Sequence, residues 1–141
     1  MQFSSQYIQI STNYYPLYGS FVNPPETSIF FDKQNKITRL ENLYYFHNPD
    51  EIKRFLLTHD YLIEHLFEAY DQIRRIFGEN VEIHLEYTID PEEDWDELFI
   101  VIKSPYPAEK AVELERKLFD EWFVHIMDKL NNKLNFIEEP L

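Results

Sequence analysis

The segment Asp90-Pro91-Glu92-Glu93-Asp94-Trp95-Asp96-Glu97 places six carboxylates and one indole in eight residues, the densest concentration of reactive groups in the chain. Asp94 and Asp96 stand two positions apart, just before the apolar run Leu98-Phe99-Ile100-Val101-Ile102. Alternate residues of a strand share a face, so carboxylates at this spacing can reach one Mg²⁺, as metal-dependent nucleotidyl transfer requires. The same segment can steer a basic protein, with Trp95 as aromatic anchor, or can simply be a solvated connection between two strands. It lacks the central glycine and the twelfth-position glutamate of an EF-hand calcium loop.

Two further constellations carry metal-ligand chemistry. Glu82, His84 and Glu86 alternate along one strand face, a pattern that solubility of an exposed strand also demands. Glu121 and His125 lie one helical turn apart, but Asp60, Glu64, His65 and Glu68 supply no matching Glu-x-x-His, so a surface pair is the expectation. The chain has no cysteine, which removes disulfides, thiolate metal sites and a cysteine nucleophile. Nucleophile-elbow, Walker and dinucleotide-binding motifs are missing as well. No catalytic residue, metal or cofactor is therefore assigned, and Asp94 with Asp96 form the catalytic alternative.

Composition narrows the partners. The 141 residues suit one domain, and 17% aromatic content is a large apolar load for a core or an interface to absorb. The formal net charge is −13. Residues 1–50 hold 3 basic and 4 acidic groups and residues 51–141 hold 10 and 22, so the acidity lies in the later part of the chain. Such a surface repels phosphate backbones and anionic lipid, which argues against direct nucleic-acid or membrane binding. No stretch approaches the length of an apolar membrane span and no signal-peptide pattern opens the chain, so a cytoplasmic location is expected.

The elements that must position these groups follow from periodicity. Residues 1–47 read as an N-terminal arm, with tyrosines that suit packing on something, followed by a β-hairpin of Ser28–Phe31 and Lys36–Leu40 around Asp32-Lys33-Gln34-Asn35. Residues 48–141 read as the acidic core of the same domain. Asn48-Pro49-Asp50-Glu51 starts a helix that a 3.6-residue stripe carries to Gly78, with a kink or break at Thr58-His59-Asp60. Val81 to Ile89 alternates as a strand, and Leu98–Ile102 is apolar on both faces, a central strand that needs cover on both sides. Pro105 and Pro107 open a second helix running to Asn131-Asn132, and Lys133–Ile137 is a last short strand. The resulting order is α-β-β-α-β, an α+β two-layer sandwich on a mostly antiparallel sheet. Phe119-Asp120-Glu121-Trp122-Phe123 puts large aromatics on adjacent helix faces, more than one packing face absorbs, which marks Phe119, Trp122 and Phe123 as interface candidates.

The run from Phe77-Gly78 through the alternating strand, Asp90-Pro91-Glu92, Glu97-Leu98-Phe99-Ile100-Val101-Ile102 and Phe119-Asp120-Glu121-Trp122-Phe123 resembles a family of small, uncharacterised bacterial proteins, commonest in cyanobacteria, over about residues 50–138. That resemblance implies an accessory or antitoxin-like partner role. Locally, Asp94-Trp95-Asp96 resembles the Asp-x-Asp strand of small nucleotidyltransferase domains. That family's Gly-Ser phosphate turn corresponds here to Phe77-Gly78-Glu79-Asn80, with an acid in place of the serine. The leading expectation is a noncatalytic acidic module that binds a basic protein through Glu92, Glu93, Asp94, Trp95, Phe119, Trp122 and Phe123. The alternatives are a nucleotidyltransferase-like enzyme using Asp94 and Asp96, and a homodimer formed through the arm or an uncovered sheet face.

Overall fold

The computed structural model describes residues 25–141, with side chains from residue 28 onward. The expected arm, residues 1–24, lies outside the described residues. The chain divides into two compact units, residues 1–34 and 35–141.

Residues 28–40 do not form a hairpin. They belong to helix α1, Pro25–Glu41. The Asp32-Lys33-Gln34-Asn35 segment has no glycine to supply the positive φ of a two-residue hairpin turn, and Lys33, Gln34 and Lys36 favour helix. Within the second unit Ile37 and Leu40 lie three apart and are both buried, with Tyr44 joining them just past the helix end. The Tyr44 hydroxyl donates to the Leu66 carbonyl at 2.6 Å. Burial holds its pKa well above the ordinary tyrosine value.

The next helix begins at the expected place, with Pro49 at its first position, but Asn48 makes no side-chain cap and adopts a left-handed conformation that a short amide tolerates. The expected long helix is broken at His59: α2 spans Pro49–Thr58 and α3 spans Leu62–Phe77. Helix α3 buries Leu62, Leu66, Ala69, Ile73 and Phe77 on one stripe. It stops at Gly78, whose φ of +85° suits glycine. Arg74 bonds the carbonyls of Gly78 and Val81, and Tyr106 donates to the Phe77 carbonyl, so the freed carbonyls at the helix end find partners.

The sheet has four strands in the order β1 (Tyr45–Phe46), β2 (Glu82–Asp90), β3 (Trp95–Ser104), β4 (Leu134–Pro140). Only β2 and β3 are antiparallel, whereas β1 with β2 and β3 with β4 are parallel, so the sheet is mixed and not mostly antiparallel. The causes are two helical crossovers, α2 with α3 between β1 and β2 and helix α4, Ala108–Glu121, between β3 and β4, each of which returns the chain in the same direction. Helix α4 is shorter than its apolar stripe suggests. From Trp122 on, two 3₁₀ turns, Phe123–His125 and Met127–Lys129, carry the remaining apolar residues. Asn131 and Asn132, with φ of 52° and 56°, then reverse the chain.

The α-β-β-α-β order and the mixed α+β class stand. Ile83 and Leu85 of β2, Leu98, Ile100 and Ile102 of β3, and Leu134 of β4 join the buried faces of the helices in one hydrophobic cluster. Strand β3 is central, as its apolar run requires. On its opposite face Val101 is buried outside that cluster, flanked in register by His84 and Ile137, while Phe99 is half-buried. No helix among the described residues is long and apolar enough to cross a membrane.

Both sheet edges are partly blocked against strand addition. Strand β1 is two residues long. Along β4, the Lys133 carbonyl accepts from Leu98 N–H, so the even-numbered residues that follow turn their backbone groups outward. The Phe136 N–H is bonded by the Asn135 side chain and the Glu138 N–H by Glu115 of α4, and Pro140 has none. Natural sheets block edge-to-edge aggregation in this way. The combined variant Asn135→Val, Glu115→Ala, Pro140→Val is expected to form concentration-dependent oligomers, seen by light scattering after size-exclusion chromatography, at concentrations where the parent chain forms none.

Candidate protein-binding site

The acidic segment is a hairpin connection whose shape its own side chains create. Asp90 pairs with Trp95 across the β2–β3 ladder, leaving Pro91–Asp94 as a four-residue loop. Asp90 Oδ1 accepts the backbone N–H groups of Glu92 at 3.0 Å and Glu93 at 3.3 Å, and Pro91 pre-sets its own φ for the turn. Asp94 closes the loop in the left-handed region, φ 52°, which a short acidic side chain tolerates. Asp94 therefore precedes the strand. The shared face that would aim Asp94 and Asp96 at one ion requires both residues to be in the strand, and β3 begins at Trp95.

Asp96 is engaged elsewhere. The Lys133 ammonium donates to Asp96 Oδ1 at 2.8 Å and to its carbonyl at 3.0 Å, and the Tyr87 hydroxyl donates to Oδ2 at 2.8 Å. The hydrogen bond from Lys133, aided by that from Tyr87, holds the Asp96 carboxyl below the usual carboxylate range against the opposing effect of burial. Tyr87 is pushed up, first by donating to that carboxylate and then by burial. Burial also raises Glu97, with Lys133 opposing it.

The same ammonium orders the indole. Lys133 Nζ lies 3.7 Å from the centroid of the Trp95 ring, a cation–π contact, and the Trp95 N–H donates to the Asn132 carbonyl at 3.3 Å. The side chain is thus held from the turn that precedes β4, yet Trp95 remains 39% exposed. Glu92, Glu93 and Asp94 are exposed beside it, and none of the salt bridges among the described residues involves them. A cleft of 380 Å³ opens beside the hairpin base, lined by Arg54, Phe55, His59, Tyr87, Ile89 and Asp96 among others. The His59 ring stacks on Phe55 at 4.2 Å.

The other proposed anchors fare differently. Trp122 and Phe123 are core residues, 4% and 5% exposed, so neither can meet a partner. Trp122 follows Leu118 by one turn on the buried stripe of α4, and the 3₁₀ turn brings Phe123 inward beside it, where Phe123 packs edge-on against Trp122 at 5.8 Å and against Phe136 at 5.1 Å. Phe119 is 37% exposed and borders a shallow groove with Val112 and Phe136. Glu121 does not pair with His125; it binds Arg75 of α3 at 2.9 Å. Lys133 escaped the sequence reading as a site residue because it meets Asp96 across 37 positions and Trp95 from still further along the chain, and only the Asn131-Asn132 turn before it hints at a constrained approach. Comparison with protein-family models, curated proteins and solved structures finds no match to this chain.

The depressed Asp96 value has a definite pH signature. A carboxylate whose folded pKa lies below its unfolded value of about 3.9 contributes stability above that value, and loses it as pH falls through the lower folded pKa. Asp96→Asn is expected to cost about 1 kcal/mol at pH 7, a partly exposed charged hydrogen bond discounted for solvent. The gap from the parent chain should close below about pH 3.9. Urea denaturation from pH 7 to pH 3 measures both.

Proposed function

We propose that this chain is a noncatalytic protein-binding module whose acidic hairpin docks a basic protein, with Trp95 as the anchor. The observation that carries the reading is the pre-ordered indole: an exposed tryptophan held by a cation–π contact and an N–H···O bond, beside three carboxylates outside those salt bridges. Tryptophan is enriched among residues that dominate binding energy, and an anchor already fixed in the free protein loses less side-chain freedom on association. Glu92, Glu93 and Asp94 add a local negative field to a chain of net charge −13, which accelerates encounter with a cationic surface and disfavours anionic ones. The partner in this reading presents an apolar slot for the indole within a lysine- and arginine-rich rim. Phe119 belongs to a separate apolar patch and is left out of this surface. An accessory or antitoxin-like pairing with a basic protein is the biological form that suits these features.

The test is affinity capture from the source cells by the immobilised chain, with mass spectrometry and then direct titration of the captured protein. We expect a basic protein whose affinity falls more than about tenfold with Trp95→Ala. Its association rate should drop, and lose salt dependence, with Glu92→Gln, Glu93→Gln and Asp94→Asn combined. Control changes Glu109→Gln and Glu113→Gln on α4 should leave affinity unchanged. Equal capture by the hairpin variants would overturn the proposal, as would saturable Mg²⁺–nucleotide binding abolished by Asp96→Asn.

A further inference from the structure

The second feature built from side chains is on the sheet face opposite the core. The parallel pairing of β1 with β2 sets Tyr45 opposite His84 and brings His47, one residue past β1, to the same ring. His47 Nε2 lies 2.8 Å from His84 Nδ1, and His84 Nε2 lies 3.1 Å from Glu82 Oε1. A carboxylate accepts only, so in the neutral imidazole His84 Nε2 carries the proton and His84 Nδ1 presents a lone pair. The proton between the two rings is then on His47 Nε2. The Tyr45 and His47 rings lie tilted against the His84 ring, with centroids at 4.8 Å and 5.0 Å, and the His47 backbone is tied by its N–H to the Leu85 carbonyl at 3.0 Å. His47 is exposed, so the pair opens to solvent.

The geometry points to a divalent copper site in which His47 Nε2 and His84 Nδ1 are the protein ligands and Glu82 orients His84 from behind. A carboxylate on the far nitrogen is the usual support of a metal-bound imidazole, fixing its tautomer and raising its basicity. Imidazole donors and the divalent affinity order favour Cu²⁺ over Zn²⁺. On binding, the His47 ring turns so that both lone pairs converge on the ion, and its proton passes through solvent from Nε2 to Nδ1. No third histidine or carboxylate completes a ligand set among the described residues, so water or an exogenous ligand takes the remaining positions. Of the strand-face set Glu82, His84 and Glu86, this site keeps the first two and replaces Glu86 with His47, which follows β1.

The test titrates CuSO₄ into the full chain, followed by calorimetry and electron paramagnetic resonance, with ZnSO₄ and MgSO₄ for comparison. One equivalent of Cu²⁺ is expected, with a tetragonal signal showing coupling to two imidazole nitrogens, weaker Zn²⁺ binding and none by Mg²⁺. His47→Ala, at an exposed position, should remove one nitrogen from the signal and weaken binding at least about tenfold. Glu82→Gln should weaken it about tenfold while both nitrogens remain. Circular dichroism of each variant checks that the fold is retained. Unchanged stoichiometric binding and spectrum in His47→Ala would assign the copper to other donors and overturn the proposal, as would failure of the parent chain to bind Cu²⁺ more tightly than His47→Ala does.

Discussion

The pairing register of β2 with β3 is the constraint on which the rest of the molecule depends. Asp90 stands opposite Trp95, and from that one pairing follow Tyr87 opposite Leu98, Leu85 opposite Ile100 and Ile83 opposite Ile102. Side chains alternate with a period of two, so a slip by one residue would expose this apolar face and bury Glu82, His84 and Glu86. Two local devices hold the register. Ile83, Leu85, Leu98, Ile100 and Ile102 must face the helices, and the Pro91–Asp94 loop has a length and shape that Asp90, Pro91 and Asp94 impose. The flanking parallel strands then add to a template already set.

Lys133 converts that register into a surface. Placed by the left-handed pair Asn131 and Asn132, its ammonium sits over the Trp95 ring and on the Asp96 carboxylate together. It neutralises the one aspartate of the segment that faces inward and leaves Glu92, Glu93 and Asp94 uncompensated outside. A charge-assisted hydrogen bond in a half-buried setting is stronger than a neutral one, which lets a single lysine immobilise a large aromatic ring at the end of a hairpin. The result is an ordered, part-exposed indole within an acidic rim.

Much of this was readable along the chain. The alternation from Val81 to Ile89 matches β2, Pro49 and Gly78 bracket α2 and α3, and the weak stretch at Thr58-His59-Asp60 is where the helix breaks. The loop chemistry of Asp90-Pro91 and the exposure of Trp95 were legible for the same reason: each rests on residues within a few positions. Residues 28–40 were misread because Ile29, Phe30 and Phe31 look like strand formers, while the contacts of Ile37 and Leu40 that favour helix lie in the distant core. Phe123 was misread because a helical stripe cannot announce where α4 gives way to a 3₁₀ turn that buries its ring beside Trp122, which follows Leu118 on the buried stripe.

Local chemistry alone therefore establishes the mixed α+β class, the acidic hairpin with its tryptophan, and the α-β-β-α-β order, since caps, turns and periodicity act over one to seven residues. Tertiary pairing decides which carboxylates are free and which histidines meet. Lys133 reaches Asp96, and His47 reaches His84, each across 37 positions, by parallel additions on opposite sides of one antiparallel pair. No spacing rule spans such distances, because strand order and direction depend on the crossover connections and on the core they enclose.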